Sequence, residues 1–191
     1  MKTRSWISFI RPELRGARRI VVLGVGNPAR GDDGAGLACI RDLRRTRPRL
    51  PSFVRLVEAG SVPENFTGRV RVFGPSHVIV VDAARAGRRP GAIFVVQPSR
   101  IAHEDVSSHR VPLSWLARYL AETIGCRVLI IGIQPGRTEP GRPLSVAVGK
   151  SVERVTAGLA RIFKTIRAEA NRDREPASRR KRPVPVRSSS A

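Results

Sequence analysis

The chain has 191 residues, of which 41% are apolar and 5% aromatic, and its formal net charge is +21. This length suffices for one domain with its own hydrophobic core. Two cysteines, Cys39 and Cys126, cannot build a disulfide framework and fall in apolar segments, which predicts a reduced, cytoplasmic setting. Because no apolar run approaches the roughly 20 residues of a membrane-spanning helix, we expect no membrane span.

The positive charge is concentrated at both ends of the chain. Residues 1–19 carry six basic side chains and one acidic, and residues 167–191 carry eight basic and three acidic. We predict a flexible basic extension over 1–18, a single α/β domain over 19–166 and a disordered basic tail over 167–191. The sequence has neither zinc-finger spacing nor an RNA-binding aromatic signature, so we expect no specific nucleic-acid partner.

Strands and helices alternate along the central part of the chain. Continuous apolar runs of strand length predict five strands, at 19–26, 53–60, 77–84, 91–98 and 127–135. Apolar residues at helical spacing predict four helices, at 32–46, 62–73, 112–125 and 145–166. This alternation predicts a three-layer α/β/α fold around an open, mostly parallel, five-stranded twisted sheet. Such sheets carry their sites at the carboxyl ends of the strands.

The first of these strand ends runs into the glycine-rich stretch "GVGNPARGDDGAG". Gly24-x-Gly26-x-x-Ala29 satisfies a loose dinucleotide-binding fingerprint. Against that interpretation, Pro28 removes an N–H donor and the two following aspartates would repel a pyrophosphate. Alternatively, the loop positions Asp33 as a ligand for a cation, or Asp32 or Asp33 caps the next helix.

Two further residues are candidates for the same site. Asp82 closes the buried run "HVIVV", where an unpaired carboxylate would cost free energy. His109 lies in a loop, and its neutral imidazole would complete an Asp/Asp/His set suited to Ni²⁺ or Zn²⁺. By contrast, Ser61, Ser107 and Cys39 lack an activating context for a nucleophile, and His77 and His103 are interpreted as structural or incidental.

Five blocks together resemble a known family. "GVGNPARGDDGAG", "EAGSVPEN", "VIVVDAARAGRRPG", "SSHRVPL" and "IIGIQP" occur in the order and approximate spacing found in the hydrogenase maturation proteases, and the match covers about residues 19–165. These endopeptidases remove the C-terminal extension of [NiFe]-hydrogenase large subunits. The resemblance is greatest to the branch serving multisubunit membrane-bound or coenzyme-reducing hydrogenases.

The resemblance implies a metal-binding triad formed by Asp33, Asp82 and His109. It implies that this triad recognises nickel already inserted in the large-subunit precursor, and that the enzyme acts as a monomer. The family commonly has Asp where this chain has Glu58, which leaves a catalytic role for Glu58 open. The substrate nickel could polarise the scissile carbonyl or activate water, or a carboxylate could act as general base.

Two other functions compete with this expectation. A non-catalytic metal-binding or chaperone relative could keep the fold and the triad without cleaving a peptide bond. A dinucleotide-binding oxidoreductase would use the glycine-rich loop for phosphate.

Overall fold

A computed structural model describes residues 5–96 and 113–174, in which ten regular elements follow one another. They are α1 Trp6–Glu13, β1 Ile20–Val25, α2 Ala35–Arg45, β2 Val54–Gly60, α3 Thr67–Phe73, β3 His77–Ala83, β4 Ile93–Val96, α4 Leu113–Ile124, β5 Arg127–Ile133 and α5 Val146–Arg174. Short 3₁₀ turns, Gly31–Gly34 and Pro63–Phe66, lead directly into α2 and α3. Within these ranges, no helix is both long and apolar enough to cross a membrane.

The five strands form one mixed sheet in the order β2-β1-β3-β5-β4. β1 pairs in parallel with β2 and β3, β3 pairs in parallel with β5, and β4 runs antiparallel to β5. The central strands β1 and β3 are buried along their whole length, as their continuous apolar runs predict. The mostly parallel, five-stranded sheet expected from the sequence is confirmed.

Helices cover both faces of the sheet and divide the core into two apolar clusters. One cluster joins alternate strand residues, such as Ile20 and Ile79, to α1, α2 and α5. The other joins the intervening residues, such as Val21 and Val78, to α3 and α4. This alternation follows from the two-residue period of a strand and completes the three-layer architecture.

Two glycines let α2 sit directly on the sheet. A Cβ on Gly36 would lie 2.2 Å from the Val25 carbonyl oxygen and 2.3 Å from that of Val81. A Cβ on Gly24 would lie 2.5 Å from the Gly36 carbonyl oxygen. The glycine pattern therefore serves close packing of helix on strand at the amino end of α2.

The prediction of a flexible extension over 1–18 is wrong for residues 5–18. Residues 6–13 form α1, whose Trp6 and Ile10 are buried together with Leu14 just beyond the helix. A Cβ on Gly158 of α5 would lie 2.5 Å from the Trp6 ring, so the glycine makes room for the indole. Apolar residues spaced four apart drive this docking, and their burial outweighs the high charge of the segment.

The start of β3 reinforces the attachment of α1. The His77 ring is buried and its Nε2 lies 3.1 Å from the carbonyl oxygen of Glu13, at the end of α1. Burial lowers the pKa of His77, although the hydrogen bond to Glu13 opposes that effect. These contacts agree with the prediction that His77 has a structural role. His103, for which the same was predicted, lies outside the described residues.

The predicted tail also begins too early. α5 continues through residues 167–174, which the sequence analysis assigned to a disordered segment. The prediction for 175–191 lies outside the described residues, and the assignment of 19–166 as one domain stays a prediction.

The docking of α1 predicts a large effect of Trp6→Ala on stability. Truncating a buried tryptophan should lower the free energy of unfolding by about 3–5 kcal/mol, measured by urea denaturation. Phe9→Ala is the matched control, because Phe9 lies on the same helix and is 50% exposed, against 6% for Trp6. Equal effects of the two substitutions would contradict the packing of α1 on α5.

Candidate active site

Strand ends come together at the carboxyl edge of the sheet. The Gly26 N–H, just after β1, donates to the Gly60 carbonyl at the end of β2 over 3.0 Å. The Ala84 N–H, just after β3, donates to the Ile133 carbonyl at the end of β5, also over 3.0 Å. These bonds hold the loops that carry the candidate residues at one edge, where sheets of this type place their sites.

The glycine-rich loop folds back on itself to hold the Asp33 carboxylate. Asp33 is 6% exposed, and its Oδ2 accepts a hydrogen bond of 2.9 Å from the Asn27 N–H. Gly26 has φ +129°, and a Cβ there would lie 1.8 Å from the Asp33 carbonyl oxygen. The loop can close this tightly only with glycine at position 26.

Asp82 reaches the same edge from the adjoining strand. It is fully buried in β3, opposite Gly132 of β5. Because Val78 and Val80 pack in the cluster with α3 and α4, the two-residue period places Asp82 on that face of the sheet. The sequence predicted a carboxylate at this strand end, and the structure has Asp82 near the end of β3 and Asp33 in the loop that follows the neighbouring strand β1.

The third member of the predicted triad, His109, lies outside the described residues. Within 5–96 and 113–174, no group of three or more histidine, cysteine, aspartate and glutamate side chains is arranged to hold a metal ion. The triad as a whole therefore stays a prediction.

Asp32 has a different role from its neighbour. Its buried carboxylate accepts hydrogen bonds from the N–H groups of Gly136, Arg137 and Ser145 at 2.8, 3.0 and 2.6 Å, and from the Ser145 hydroxyl at 3.0 Å. Burial by itself would raise the pKa of Asp32, but these four donors hold it below its ordinary value of 3.8. Neither 3₁₀ turn nor helix here has a side-chain cap, so the capping interpretation is wrong for both aspartates.

Gln134 organises a second loop at the same edge. Its Oε1 accepts hydrogen bonds from the N–H groups of Ala86 and Arg88 at 2.8 and 3.1 Å. The side chain thereby fixes the segment that follows Asp82. Gln134 falls near the end of the predicted strand 127–135, but its role could not be predicted, because no local spacing relates it to residues nearly fifty positions earlier.

Glu58 belongs to the opposite face of the sheet. Glu58 of β2 and Val81 of β3 are both register partners of Gly24 in β1, so their side chains lie on the same face of the sheet. Val81 packs in the cluster with α2 and α5. Its carboxylate accepts from the guanidinium of Arg41 at 3.1 Å and from that of Arg44, both on α2. Glu58 and Asp82 therefore lie on opposite faces of the sheet, and each Glu58 carboxylate oxygen accepts a hydrogen bond from an arginine.

The cysteines are core residues. Burial raises the pKa of the Cys39 thiol to about 12 and that of Cys126 to about 11. At neutral pH both stay protonated, which agrees with the interpretation of Cys39 as lacking an activating context for a nucleophile.

The sequence profile of the hydrogenase maturation protease family matches residues 37–162. The chain belongs to this family. It is 35% identical over 136 residues to the hydrogenase 3 maturation protease of Escherichia coli K12, covering 71% of this chain and 85% of that protein. The family assignment makes this protein a peptide hydrolase.

Solved structures of hydrogenase maturation proteases share the fold. The [NiFe] hydrogenase maturation protease HycI from Thermococcus kodakarensis KOD1 superposes with a TM-score of 0.75 at 31% identity, covering 82% of this chain and 99% of that one. The endopeptidase HycI from Escherichia coli gives a TM-score of 0.64 at 33% identity, covering 73% and 87%. The resemblance expected from the five sequence blocks is confirmed at the level of family and fold.

The hydrogen bonds to Asp32 predict a pH-dependent effect of Asp32→Asn on this maturation protease. At pH 7 the substitution replaces an acceptor by an amide and should lower the free energy of unfolding by about 2–3 kcal/mol. Because the folded-state pKa of Asp32 is lowered, its stabilisation is present above pH 3.8 and is lost as the pH falls through the folded value.

Urea denaturation of both proteins between pH 7 and pH 3 measures this dependence. The difference between wild type and Asp32→Asn should shrink below pH 3.8. Asp42→Asn is the control. The Asp42 side chain is 39% exposed, and its ion pair with Arg45 is long, at 3.9 Å, so we expect little change in stability. A constant difference over the whole pH range would contradict a lowered pKa at Asp32.

Proposed function

We propose that this maturation protease removes the C-terminal extension of a [NiFe]-hydrogenase large-subunit precursor after nickel insertion. Asp33, Asp82 and His109 would bind the nickel carried by that substrate, so that cleavage follows metal loading. The enzyme would act in the cytoplasm as a monomer that docks transiently on the precursor. The observation that supports the proposal is that, in a member of this family, Asp82 lies near the end of β3 and Asp33 in the loop after the adjoining strand β1.

The chemistry of the carboxylates fits this role. Carboxylate oxygens and imidazole nitrogen bind borderline divalent metals. The hydrogen bond from the Asn27 N–H holds the Asp33 carboxylate in one orientation, which supports a rigid arrangement of ligands. A preformed set of this kind would distinguish a loaded precursor from an empty one by the free energy of metal coordination.

Two routes from this arrangement to peptide hydrolysis are open to experiment. In the first, nickel in the substrate polarises the scissile carbonyl or activates a water molecule. In the second, nickel serves only recognition, and one of the carboxylates takes a proton from the attacking water. Replacing nickel by another divalent metal in the precursor separates them, because only the first route makes the cleavage rate depend on the Lewis acidity of the metal.

The loop geometry also argues against dinucleotide binding. The N–H of Asn27, in the stretch that would face a phosphate, already donates to Asp33. The loop is therefore closed by its own carboxylate, and the family assignment supports a peptidase instead.

The proposal predicts loss of processing on removal of any triad member. Asp33→Asn, Asp82→Asn and His109→Ala should each reduce cleavage of the nickel-loaded precursor by at least about 100-fold, because each removes a ligand or a base. Mass spectrometry of the precursor after incubation measures the released C-terminal peptide, and circular dichroism verifies the fold of each variant.

Nickel-free precursor is the control for metal dependence, and wild type should leave it intact. Full activity in all three variants would contradict the triad. Nickel-dependent binding without cleavage by wild type would instead favour the non-catalytic relative.

Glu58 provides a separate prediction. Because both of its oxygens accept hydrogen bonds from Arg41 and Arg44, we expect Glu58→Gln to retain kcat within about threefold, as for a residue outside the reaction centre. Steady-state processing of nickel-loaded precursor measures kcat. A loss comparable to that of Asp82→Asn would give Glu58 the catalytic role that the sequence left open.

A further inference from the structure

The edge strand β2 borders a large basic groove. A cavity of about 940 Å³ lies between β2 and α3, and we call it the β2 groove. The residues that define it here are Arg44, Arg55, Glu58, Phe66, Arg69 and Val72. Among the described residues, β2 has one hydrogen-bonded neighbour, β1. Its outer edge therefore presents backbone donors and acceptors to another extended chain.

The charge of the groove favours an acidic ligand. Three arginines line it, and the carboxylate of Glu58 is already paired with Arg44 and Arg41. A second cavity, of about 320 Å³, shares Arg44 and Leu56 with the groove and adds Arg47 and Arg49. The basic surface thus continues along the same strand, where it would attract negative side chains.

Apolar side chains make the groove suitable for polypeptide. Val72 is 86% exposed on α3, and Phe66 lies beside it in the lining. An edge strand, apolar contacts for alternate side chains and complementary charge are the elements of recognition by strand addition. The nearby Phe73 ring is covered by the guanidinium of Arg55 at 4.5 Å, a less favourable arrangement for stacking of nucleic-acid bases.

The strand that borders the groove also contacts the loop of the candidate site. β2 ends at Gly60, whose carbonyl accepts the Gly26 N–H of the loop that holds Asp33. A segment lying along the seven residues of β2 would span about 23 Å at the ordinary strand rise. One end of such a segment would therefore reach the loop of Asp33.

We propose that the β2 groove docks an extended acidic segment of the substrate protein by adding it as a strand to β2. This inference rests on the proposed function for the identity of the substrate, the large-subunit precursor. Backbone hydrogen bonds would fix the register of the added strand. Val72 and Phe66 would provide apolar contacts, and the arginines would select for negative charge.

The first experiment measures processing of nickel-loaded precursor by charge-reversed protein. Arg55→Glu/Arg69→Glu should raise KM by roughly tenfold while kcat stays within about twofold, because the groove binds substrate away from the reacting bond. Val72→Asp, at a position that is 86% exposed, should also raise KM. Arg154→Glu/Arg161→Glu makes the same charge change on exposed positions of α5 and should leave KM unchanged.

The second experiment does not depend on cleavage. Fluorescence anisotropy measures binding of a fluorescein-labelled octapeptide of alternating glutamate and valine to full-length protein. Wild type and Arg154→Glu/Arg161→Glu should bind it, with weaker affinity at higher salt, whereas Arg55→Glu/Arg69→Glu should lose binding by roughly tenfold. A lysine–valine octapeptide should not bind.

These results separate the two proposals. If wild type cleaves no precursor but binds the acidic peptide through the groove, the docking surface stands and the proposed function fails. Equal KM and equal peptide binding for the groove variant and its α5 control would overturn the docking surface. Binding of a single-stranded RNA that the groove variant loses, with peptide binding unchanged, would overturn the assignment to polypeptide.

Discussion

The buried carboxylate of Asp32 connects two loops that are more than a hundred residues apart in the sequence. Burying a charge is costly unless hydrogen bonds replace its hydration. Here the segment after β5 provides four donors, and the Asp32 N–H in turn donates to the Arg137 carbonyl at 2.9 Å. The loop that presents Asp33 is thereby attached to the segment leading into α5. The position of the candidate active site depends on this attachment.

The 3₁₀ turn explains how adjacent aspartates can serve different purposes. With three residues per turn, consecutive side chains point about 120° apart. Asp32 is directed towards residues 136–145, while Asp33 returns towards Asn27 in its own loop. The turn thus supplies two carboxylate sites from one dipeptide.

Local patterns were sufficient for most of the fold. Continuous apolar runs such as 20–25 and 77–83 determine buried strands because both faces of the sheet are covered. Among the described helices, the one that was not expected is α1, because the charge of its segment was given more weight than the spacing of Trp6, Ile10 and Leu14. This helix also contains Pro12. A helix tolerates proline poorly in its interior, yet burial of these three side chains determines the outcome.

The candidate site was predictable in part, for a related physical reason. Asp82 could be placed because a strand end is a local feature, and strand ends of a parallel sheet share one edge. The function of Asp32 could not be inferred, because its donors are backbone N–H groups that carry no sequence signature. Glu58 was misleading for a similar reason. Its position at a strand end is visible in the sequence, but its pairing with α2 depends on which face it occupies.

The charged groups of the loop after β1 and those of the β2 groove differ in what they interact with. Asp32 and Asp33 accept from backbone N–H groups, whose dipoles the fold fixes and whose effect salt screens little in a buried setting. The β2 groove instead depends on exposed guanidinium groups, whose attraction declines within a Debye length. Salt should therefore weaken encounter with an acidic partner while leaving the geometry of the loop around Asp33 intact. A strongly basic chain can in this way keep the buried carboxylates of its candidate site in place while its exposed arginines remain available to an acidic partner.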